Sequence, residues 1–374
     1  MNGKERVAAV MRGGRPDRVP VMCQLSTPHV IKHSTLPPAE FHLNYNEAFG
    51  ESLFTLAKKY NFDGVLLDSS GYDTKAMQSR VKSIETQHDG QTINWENGSQ
   101  TFCPANASPI ARGGTTIQRK PVEEIAIADL PLPGMYAAKL ADLPDFTTAA
   151  FRHALKLMGD TLSVHSFVGA PLTALFAVAG IEEALIGLLE APEHCKMMLE
   201  FLTEASKTCV DNMLALGMHA ICVTAPFEGA SFISKPMYAE FAAPYTKQLV
   251  AHINSTGAPC YIHMCGKISD RLELLADSGI DGLECLDPPP LGDVELDDAV
   301  ARIGQRVFIK GNIDPVNTLL AKTPQEVYDD AAERIKTAAG TGRYILSTAC
   351  SVAADTPAEN LQILVKAAEK YGTY

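Results

Sequence analysis

Two apolar runs decide the fold: Arg306-Val307-Phe308-Ile309-Lys310 and Tyr344-Ile345-Leu346-Ser347-Thr348. Both contain the β-branched and aromatic residues that are typical of a strand buried on both faces of a parallel sheet. Between them, Thr323-Pro324-Gln325-Glu326 has the signals of a helix start: a threonine N-cap, proline in the first position and glutamate three residues after the cap. The stretch therefore predicts a strand, a crossover helix and a second strand parallel to the first.

The same alternation of short apolar runs and longer amphipathic segments extends in both directions along the chain, which is typical of βαβ units. The predicted strands are Val19–Cys23, Gly64–Asp68, Leu162–Val168, Ala220–Thr224, Pro259–Met264, Gly282–Leu286, Arg306–Lys310 and Tyr344–Thr348. Eight strands with helical connections predict a (β/α)8 TIM barrel that occupies residues 1–374 as a single domain. An open doubly wound sheet is the second choice, but no glycine-rich phosphate motif follows the first strand.

One region interrupts this alternation. Residues from about Ser79 to Lys120 are rich in Thr, Gln, Gly and Asn, alternate with a period of two, and include the only tryptophan, Trp95. This pattern predicts a β-hairpin insertion after the second strand. The insertion is long enough to cover the mouth of the barrel.

The composition is that of an acidic chain with enough apolar residues for a large core. Of the 374 residues, 46% are hydrophobic, and 32 basic against 44 acidic side chains give a net charge of −12. This balance argues against nucleic-acid and anionic-membrane partners. No run of about 18 apolar residues predicts a membrane span, and the first residues lack the apolar core of a signal peptide. We therefore expect a cytoplasmic protein with nine reduced cysteines. Its oligomeric state stays open.

A candidate metal site lies at the end of the fifth predicted strand. His263 and Cys265 are two residues apart in Tyr261-Ile262-His263-Met264-Cys265-Gly266, so in a strand both side chains point to the same side. Cys350 follows the last predicted strand, and strand ends converge at the mouth of a barrel. Two thiolates and an imidazole with an open fourth position form a catalytic zinc arrangement. The alternative is that these are unrelated strand-end residues, because His-X-Cys alone is a weak pattern.

Several segments resemble the uroporphyrinogen decarboxylase superfamily along nearly the whole chain. They are Lys4-Glu5-Arg6 with Gly14-Arg15-Pro16-Asp17-Arg18-Val19-Pro20-Val21, then Gly169-Ala170-Pro171-Leu172-Thr173, Lys310-Gly311-Asn312-Ile313-Asp314-Pro315, and the end from Thr356-Pro357-Ala358-Glu359-Asn360 to Tyr371-Gly372. Within the superfamily, His263-X-Cys265 with the distant Cys350 resembles the zinc motif of the cobalamin-dependent methyltransferases, which include corrinoid protein:coenzyme M enzymes. The resemblance implies Zn²⁺ bound by these three residues and methyl transfer to or from a corrinoid.

The resemblance also implies which partners to expect. No Asp-X-His-X-X-Gly segment of a corrinoid-binding domain occurs in the chain, so a corrinoid protein is expected to supply the cofactor. The small-molecule methyl donor or acceptor stays open among coenzyme M-like thiols, tetrahydrofolate and methylated donors.

Two alternatives remain. The first is a uroporphyrinogen decarboxylase-like lyase that acts on a carboxylated ring compound. In the decarboxylase, however, an arginine-rich stretch follows the entry strand and binds substrate carboxylates, whereas this chain has Met22-Cys23-Gln24-Leu25-Ser26. The second is a non-catalytic zinc-binding subunit.

Other polar residues at predicted strand ends complete the candidate site. We expect catalytic roles for Glu228, as a fourth zinc ligand or a substrate contact, and for Glu284, as a residue that orients substrate or His263. His165, Asn312 and Asp68 are the candidates for substrate binding. The alternatives are a loop carboxylate for Glu228, a buried salt bridge for Glu284, a core histidine for His165 and a turn residue for Asn312. Cys260 and Cys285 are assigned to packing.

Overall fold

The computed structural model describes residues 1–67, 71–113 and 120–374. The strands in chain order are β1 (Gly64–Leu67), β2 (Val81–Gln87), β3 (Gly90–Trp95), β4 (Gln100–Pro104), β5 (Ile110–Arg112), β6 (Ser163–Gly169), β7 (Ala220–Thr224), β8 (Cys260–Met264), β9 (Gly282–Cys285), β10 (Phe308–Ile313) and β11 (Tyr344–Thr348).

The α-helices are α1 (Gly3–Met11), α2 (Thr27–Lys32), α3 (Pro38–Leu43), α4 (Tyr45–Tyr60), α5 (Thr74–Gln78), α6 (Gly134–Ala137), α7 (Asp145–Met158), α8 (Pro171–Ala179), α9 (Ile181–Glu190), α10 (Pro192–Leu216), α11 (Lys235–Met237), α12 (Ala243–Ser255), α13 (Leu272–Ala276), α14 (Leu296–Ile303), α15 (Pro324–Ala338) and α16 (Ala358–Tyr371). Short 3-10 helices cover Val122–Glu124, Ile127–Asp129, Leu140–Asp142, Ser269–Arg271 and Ala339–Thr341, and π-helical turns cover Tyr238–Ala242 and Pro315–Leu320.

The principal sheet is parallel, curled, and built from seven strands in the order β1-β6-β7-β8-β9-β10-β11. Its residues are buried almost throughout, as expected for strands that are covered on both faces. Seven of the eight predicted strand segments are thus present among the described residues. The carboxyl ends of all seven strands lie at one edge, and this arrangement brings polar residues that are distant in sequence together.

The predicted first strand, Val19–Cys23, is not a regular strand. It makes isolated bridges: Met22 N–H donates to Leu346 O on β11 at 3.0 Å, and Asp63 N–H, just before β1, donates to Val21 O at 2.8 Å. Pro20 has no N–H to offer a ladder, and Val21 N–H donates to the Asp63 carboxylate at 2.8 Å instead of a backbone carbonyl. The segment therefore hydrogen-bonds at both edges of the sheet without extended pairing.

The interrupting region forms a second sheet, not the single hairpin that the sequence predicts. Four antiparallel strands pair in the order β2-β3-β4-β5. Ile93 and Cys103 pack against Ala39 and Leu43 of α3, so a small apolar cluster holds this sheet to the body of the protein. Residues 114–119, at the end of the predicted insertion, lie outside the described residues.

Helix ends follow the local sequence signals. At the start of α15, Thr323 Oγ1 accepts from Glu326 N–H at 3.4 Å, and the Glu326 carboxylate accepts from Thr323 N–H at 2.9 Å. This confirms the capping box and fixes the crossover between β10 and β11. Among the described residues no single helix is long and apolar enough to cross a membrane. The helices Pro171–Ala179 and Ile181–Glu190, which meet at a bend of 112°, have the length and composition of a span only when they are taken together.

Candidate metal centre

The candidate site is built at the ends of three strands. His263 lies on β8, paired in register with Thr224 on β7 and Glu284 on β9. Cys265 follows directly, and Gly266 takes φ +78°, a left-handed conformation in which glycine carries no steric penalty, so the chain can turn away from the strand. Cys350 comes two residues after β11. Strand periodicity and convergence of the strand ends thus place one imidazole and two thiols together.

The thiol that lies closest to His263 and Cys350 in the structure is that of Cys285. The ligand atoms of His263, Cys285 and Cys350 lie within 4.8 Å of one another, and Cys265 is not part of this group. The Cys265 thiol donates to the Pro226 carbonyl at 3.8 Å and lines the same cavity as His263 and Cys350. Two sulfur atoms on one zinc ion are at most about 4.6 Å apart, twice the ~2.3 Å bond length, so small side-chain adjustments suffice to bind one ion.

The electrostatics of this cluster are those of a site prepared for a cation. The neighbouring thiols of Cys265 and Cys285, together with His263, lower the pKa of Cys350 far below its ordinary value, despite burial. Burial alone would lower the pKa of His263, but its contacts with Cys350 and Glu284 raise that pKa to about 9. These shifts favour negative charge on Cys350 beside positive charge on His263, and binding of a soft metal ion would displace protons from the cluster.

Two buried charged side chains on the neighbouring strands, Glu284 and Lys310, form a row with His263. His263, Glu284 and Lys310 are register partners across β8, β9 and β10. Glu284 Oε2 lies 3.4 Å from His263 Nδ1, and Glu284 Oε1 accepts from Lys310 Nζ. Burial alone would raise the pKa of Glu284, but Lys310 and His263 lower it to about 2. A carboxylate held against Nδ1 leaves Nε2 as the nitrogen available to a metal.

The cluster forms one wall of a cavity of about 530 Å³. Most of the lining is apolar or neutral: Gln24, Pro133, Met135, Tyr136, Phe151, Ser166, Phe167, Gly169, Cys209, Met213, Thr224, Pro226, His263, Cys265 and Cys350. Gln24 Oε1 is buried without a hydrogen-bond partner. Within the described part of the chain, no lysine or arginine lines this cavity, so its walls suit a small, mainly apolar molecule.

Glu228 lies apart from the cavity-lining residues. It is fully buried in the loop after β7, and its Oε1 accepts from Thr173 Oγ1 at 3.3 Å while Oε2 has no partner. Burial raises the pKa of Glu228 to about 7. The Cys265 thiol contacts the Pro226 carbonyl at 3.8 Å, so the Glu228 loop adjoins the cluster through its backbone. This geometry does not place the Glu228 carboxylate at the reacting centre.

The predicted substrate-binding residues have other partners. His165 is buried, with Nε2 2.9 Å from Ser163 Oγ and Nδ1 3.0 Å from Tyr261 OH, so both ring nitrogens are engaged inside the sheet. Asn312 donates to Leu286 O at 2.8 Å and accepts from Arg334. Neither is among the residues that line the cavity, and a role in substrate binding stays a prediction for both. Asp68 lies outside the described residues.

Sequence reasoning missed two members of the site. Cys285 is assigned above to packing, and Lys310 is treated only as part of a strand. An available signal for Lys310 was a lysine inside an otherwise buried strand, which requires a buried anionic partner. No local signal marked Cys285, because its neighbour Glu284 already occupies the inward face of a regular strand.

The donor set fits zinc. Thiolates and imidazole are the ligands of zinc sites, whereas carboxylate-rich sites suit magnesium or calcium. Among the described His, Cys, Asp and Glu side chains, His263, Cys285 and Cys350 are the group whose ligand atoms converge closely enough for one ion.

Fold and site together define a parallel α/β protein with a cluster of His and Cys side chains, a candidate soft-metal centre, at the carboxyl edge of its sheet. The family model for "Uroporphyrinogen decarboxylase (URO-D)" matches residues 111–371. The chain therefore belongs to the uroporphyrinogen decarboxylase family.

Known proteins that this chain is similar to fall into two groups. A methylcobamide:CoM methyltransferase of Methanosarcina acetivorans is 27% identical over 49% of this chain and 51% of that protein. A uroporphyrinogen decarboxylase of Myxococcus xanthus is 27% identical over 61% of this chain and 64% of that protein. The chain thus spans about half to two thirds of the length of these relatives. A solved methyltransferase from Methanosarcina mazei superposes with a TM-score of 0.74 at 19% identity, covering 99% of both chains, and shows the shared fold.

Proposed function

We propose that this protein is a zinc-dependent methyltransferase that moves a methyl group between a corrinoid and a small substrate such as a thiol. The observation that carries the proposal is the convergence of His263, Cys265 and Cys350 on the wall of a cavity. Similarity to a methylcobamide:CoM methyltransferase supports the reaction class. The corrinoid arrives on a partner protein, and coenzyme M-like thiols, tetrahydrofolate and methylated donors are the substrate classes considered.

The proposed architecture is a complete (β/α)8 barrel that forms one domain over residues 1–374. The hydrogen bonds of Val21 and Met22 to both edges of the seven-stranded sheet support an eighth, short strand at that position. A complete barrel positions all strand ends around one mouth, where such enzymes carry their active sites.

The chain's own residues have distinct tasks in this reaction. His263, Cys265 and Cys350 hold the ion, and Glu284 fixes the His263 ring so that one nitrogen faces the cluster. The walls formed by Met135, Tyr136, Phe151, Phe167 and Met213 exclude water from the reacting atoms. Bound zinc would supply a Lewis acid that lowers the pKa of a thiol or improves the leaving group of a methylated donor.

A lyase that acts on a carboxylated ring compound is the second candidate, and similarity to a uroporphyrinogen decarboxylase favours it. The cavity argues against a porphyrinogen. Gln24 lines it within the segment where the decarboxylase has its arginine-rich stretch, and the described lining carries no arginine or lysine to neutralise many carboxylates.

The test is methyl transfer from methylcobalamin to a panel of small thiols by the zinc-loaded full chain, followed through the corrinoid absorption spectrum. We expect zinc-dependent demethylation that Cys350→Ala abolishes and Cys260→Ala, a change at a buried β8 thiol outside the cluster, preserves. Uroporphyrinogen is assayed in parallel. Decarboxylation on the order of 1 per second, typical of enzymes, without methyl transfer would overturn the proposal in favour of the lyase.

A further inference from the structure

Cys285 occupies an unusual backbone position at the end of β9. In a regular strand, adjacent side chains point to opposite faces, and Glu284 already points into the sheet interior towards Lys310 and His263. Cys285, however, has φ +90° and Leu286 has φ +56°, both left-handed. This break in the strand lets the Cys285 sulfur lie within 4.8 Å of the ligand atoms of His263 and Cys350.

Left-handed backbone at two successive non-glycine residues is unfavourable and persists where the surrounding structure imposes it, which is characteristic of functional sites. A thiol that only packs in the core does not need this conformation. The neighbouring Asp287 supports the arrangement: its Oδ2 accepts from Gly266 N–H at 2.6 Å, and its buried Oδ1 has no hydrogen-bond partner. Asp287 therefore ties the turn after Cys265 to the turn that carries Cys285.

We propose that Cys285 is a fourth protein ligand of the metal ion, beside His263, Cys265 and Cys350. This inference rests on the proposed zinc site and extends it. Three thiolates and one neutral imidazole give the loaded site a formal charge of 2 − 3 = −1, whereas the three-ligand site has 2 − 2 = 0.

The proposed ligands differ in whether they face the cavity. Cys285 is buried behind the cavity wall, whereas Cys265 and Cys350 line the cavity. Four protein ligands would fill a tetrahedral shell. If a substrate thiol displaced one of the cysteines that face the cavity, that cysteine would take up the proton which the substrate gives up, and the charge of the site would stay the same.

X-ray absorption at the zinc edge of the wild-type, zinc-loaded full chain tests the ligand count directly. We expect three sulfur ligands at about 2.3 Å and one nitrogen at about 2.0–2.1 Å. Two sulfurs with two lighter ligands would overturn the inference and leave the proposed methyltransferase intact. A chain that binds no zinc at all would overturn both.

A matched pair of serine variants provides a second test, with cobalt(II) in place of zinc. Cys285→Ser should lose about one third of the sulfur-to-cobalt charge-transfer absorption, because three thiolates become two. Cys260→Ser, a control at an equally buried strand thiol, should keep the full intensity. Equal spectra for Cys285→Ser and wild type would contradict the proposal. If Cys285→Ser fails to fold, as judged by circular dichroism, the sulfur count of the wild-type protein decides.

Discussion

Glu284 Oε2 lies 3.4 Å from His263 Nδ1, and the other oxygen of the same carboxylate holds the Lys310 ammonium. A single side chain on β9 thereby connects a metal ligand on β8 to a buried cation on β10. The three residues are register partners in neighbouring parallel strands. The orientation of the ligand and the charge balance of the sheet interior consequently depend on the same carboxylate.

Replacing this carboxylate should weaken metal binding. We expect Glu284→Gln to lower zinc affinity by about 10–100-fold, because a histidine ligand loses the anion that orients its ring and raises its basicity. The measurement is competition with a chromogenic chelator. Glu228→Gln, which changes a buried carboxylate that does not contact His263, is the control and should bind zinc like wild type. Equal affinities for Glu284→Gln and wild type would show that Glu284 does not support the metal ligand.

Removing the buried cation should destabilise the fold. Lys310→Met removes one of the two charged partners of the buried Glu284 and leaves only His263 beside it, and we expect a loss of about 3–5 kcal/mol in the free energy of unfolding. The double variant Glu284→Gln/Lys310→Met should recover much of this loss, because neither position then carries a charge. Urea unfolding of wild type, the two single variants and the double variant measures both effects. Additive losses in the double variant would mean that the pair is not energetically coupled.

Single removal of a cavity-lining thiol should empty the metal site without unfolding the protein. Purified wild type should contain about one zinc per chain, and Cys265→Ala and Cys350→Ala should each lose most of it, since the barrel-like core does not depend on the ion. Metal analysis with circular dichroism separates loss of zinc from loss of fold. Full zinc occupancy in both variants would place the metal elsewhere.

The buried Glu228 should make stability depend on pH. Its pKa rises from an ordinary value of 4.5 to about 7 in the folded protein because burial disfavours the charged form. Between these values the folded chain retains a proton that the unfolded chain has released. The contribution of protonated Glu228 to the free energy of unfolding is therefore complete below pH 4.5. It falls by about 1.4 kcal/mol per pH unit as the pH rises to about 7.

Glu228→Gln removes this proton exchange. We expect the variant to gain stability relative to wild type steadily from pH 4.5 to pH 7, and the difference to stay constant above that range. Urea unfolding at several pH values measures the difference directly. A difference that does not change with pH would show that Glu228 ionises alike in both states.

The sequence by itself determined the parallel strands and which residues form part of the proposed metal centre. Apolar runs such as Val307-Phe308-Ile309 predict buried strands without any tertiary information, because a strand covered on both faces needs apolar side chains throughout. His263 and Cys265 share a side for an equally local reason, the two-residue period of a strand. Cys350 could be added from the family resemblance together with the convergence of strand ends, while the expected hairpin and the first strand needed correction.

Only the tertiary structure decided which other groups meet these ligands. His165 and Asn312 sit at strand positions suited to a pocket, but contacts with Tyr261, Leu286 and Arg334, distant in sequence, occupy their polar atoms. Cys285 joins the cluster because left-handed backbone at Cys285 and Leu286 breaks the alternation that sequence patterns assume. Periodicity describes a regular strand in isolation, whereas hydrogen-bond partners and local breaks in a strand are set by the packing of the whole chain.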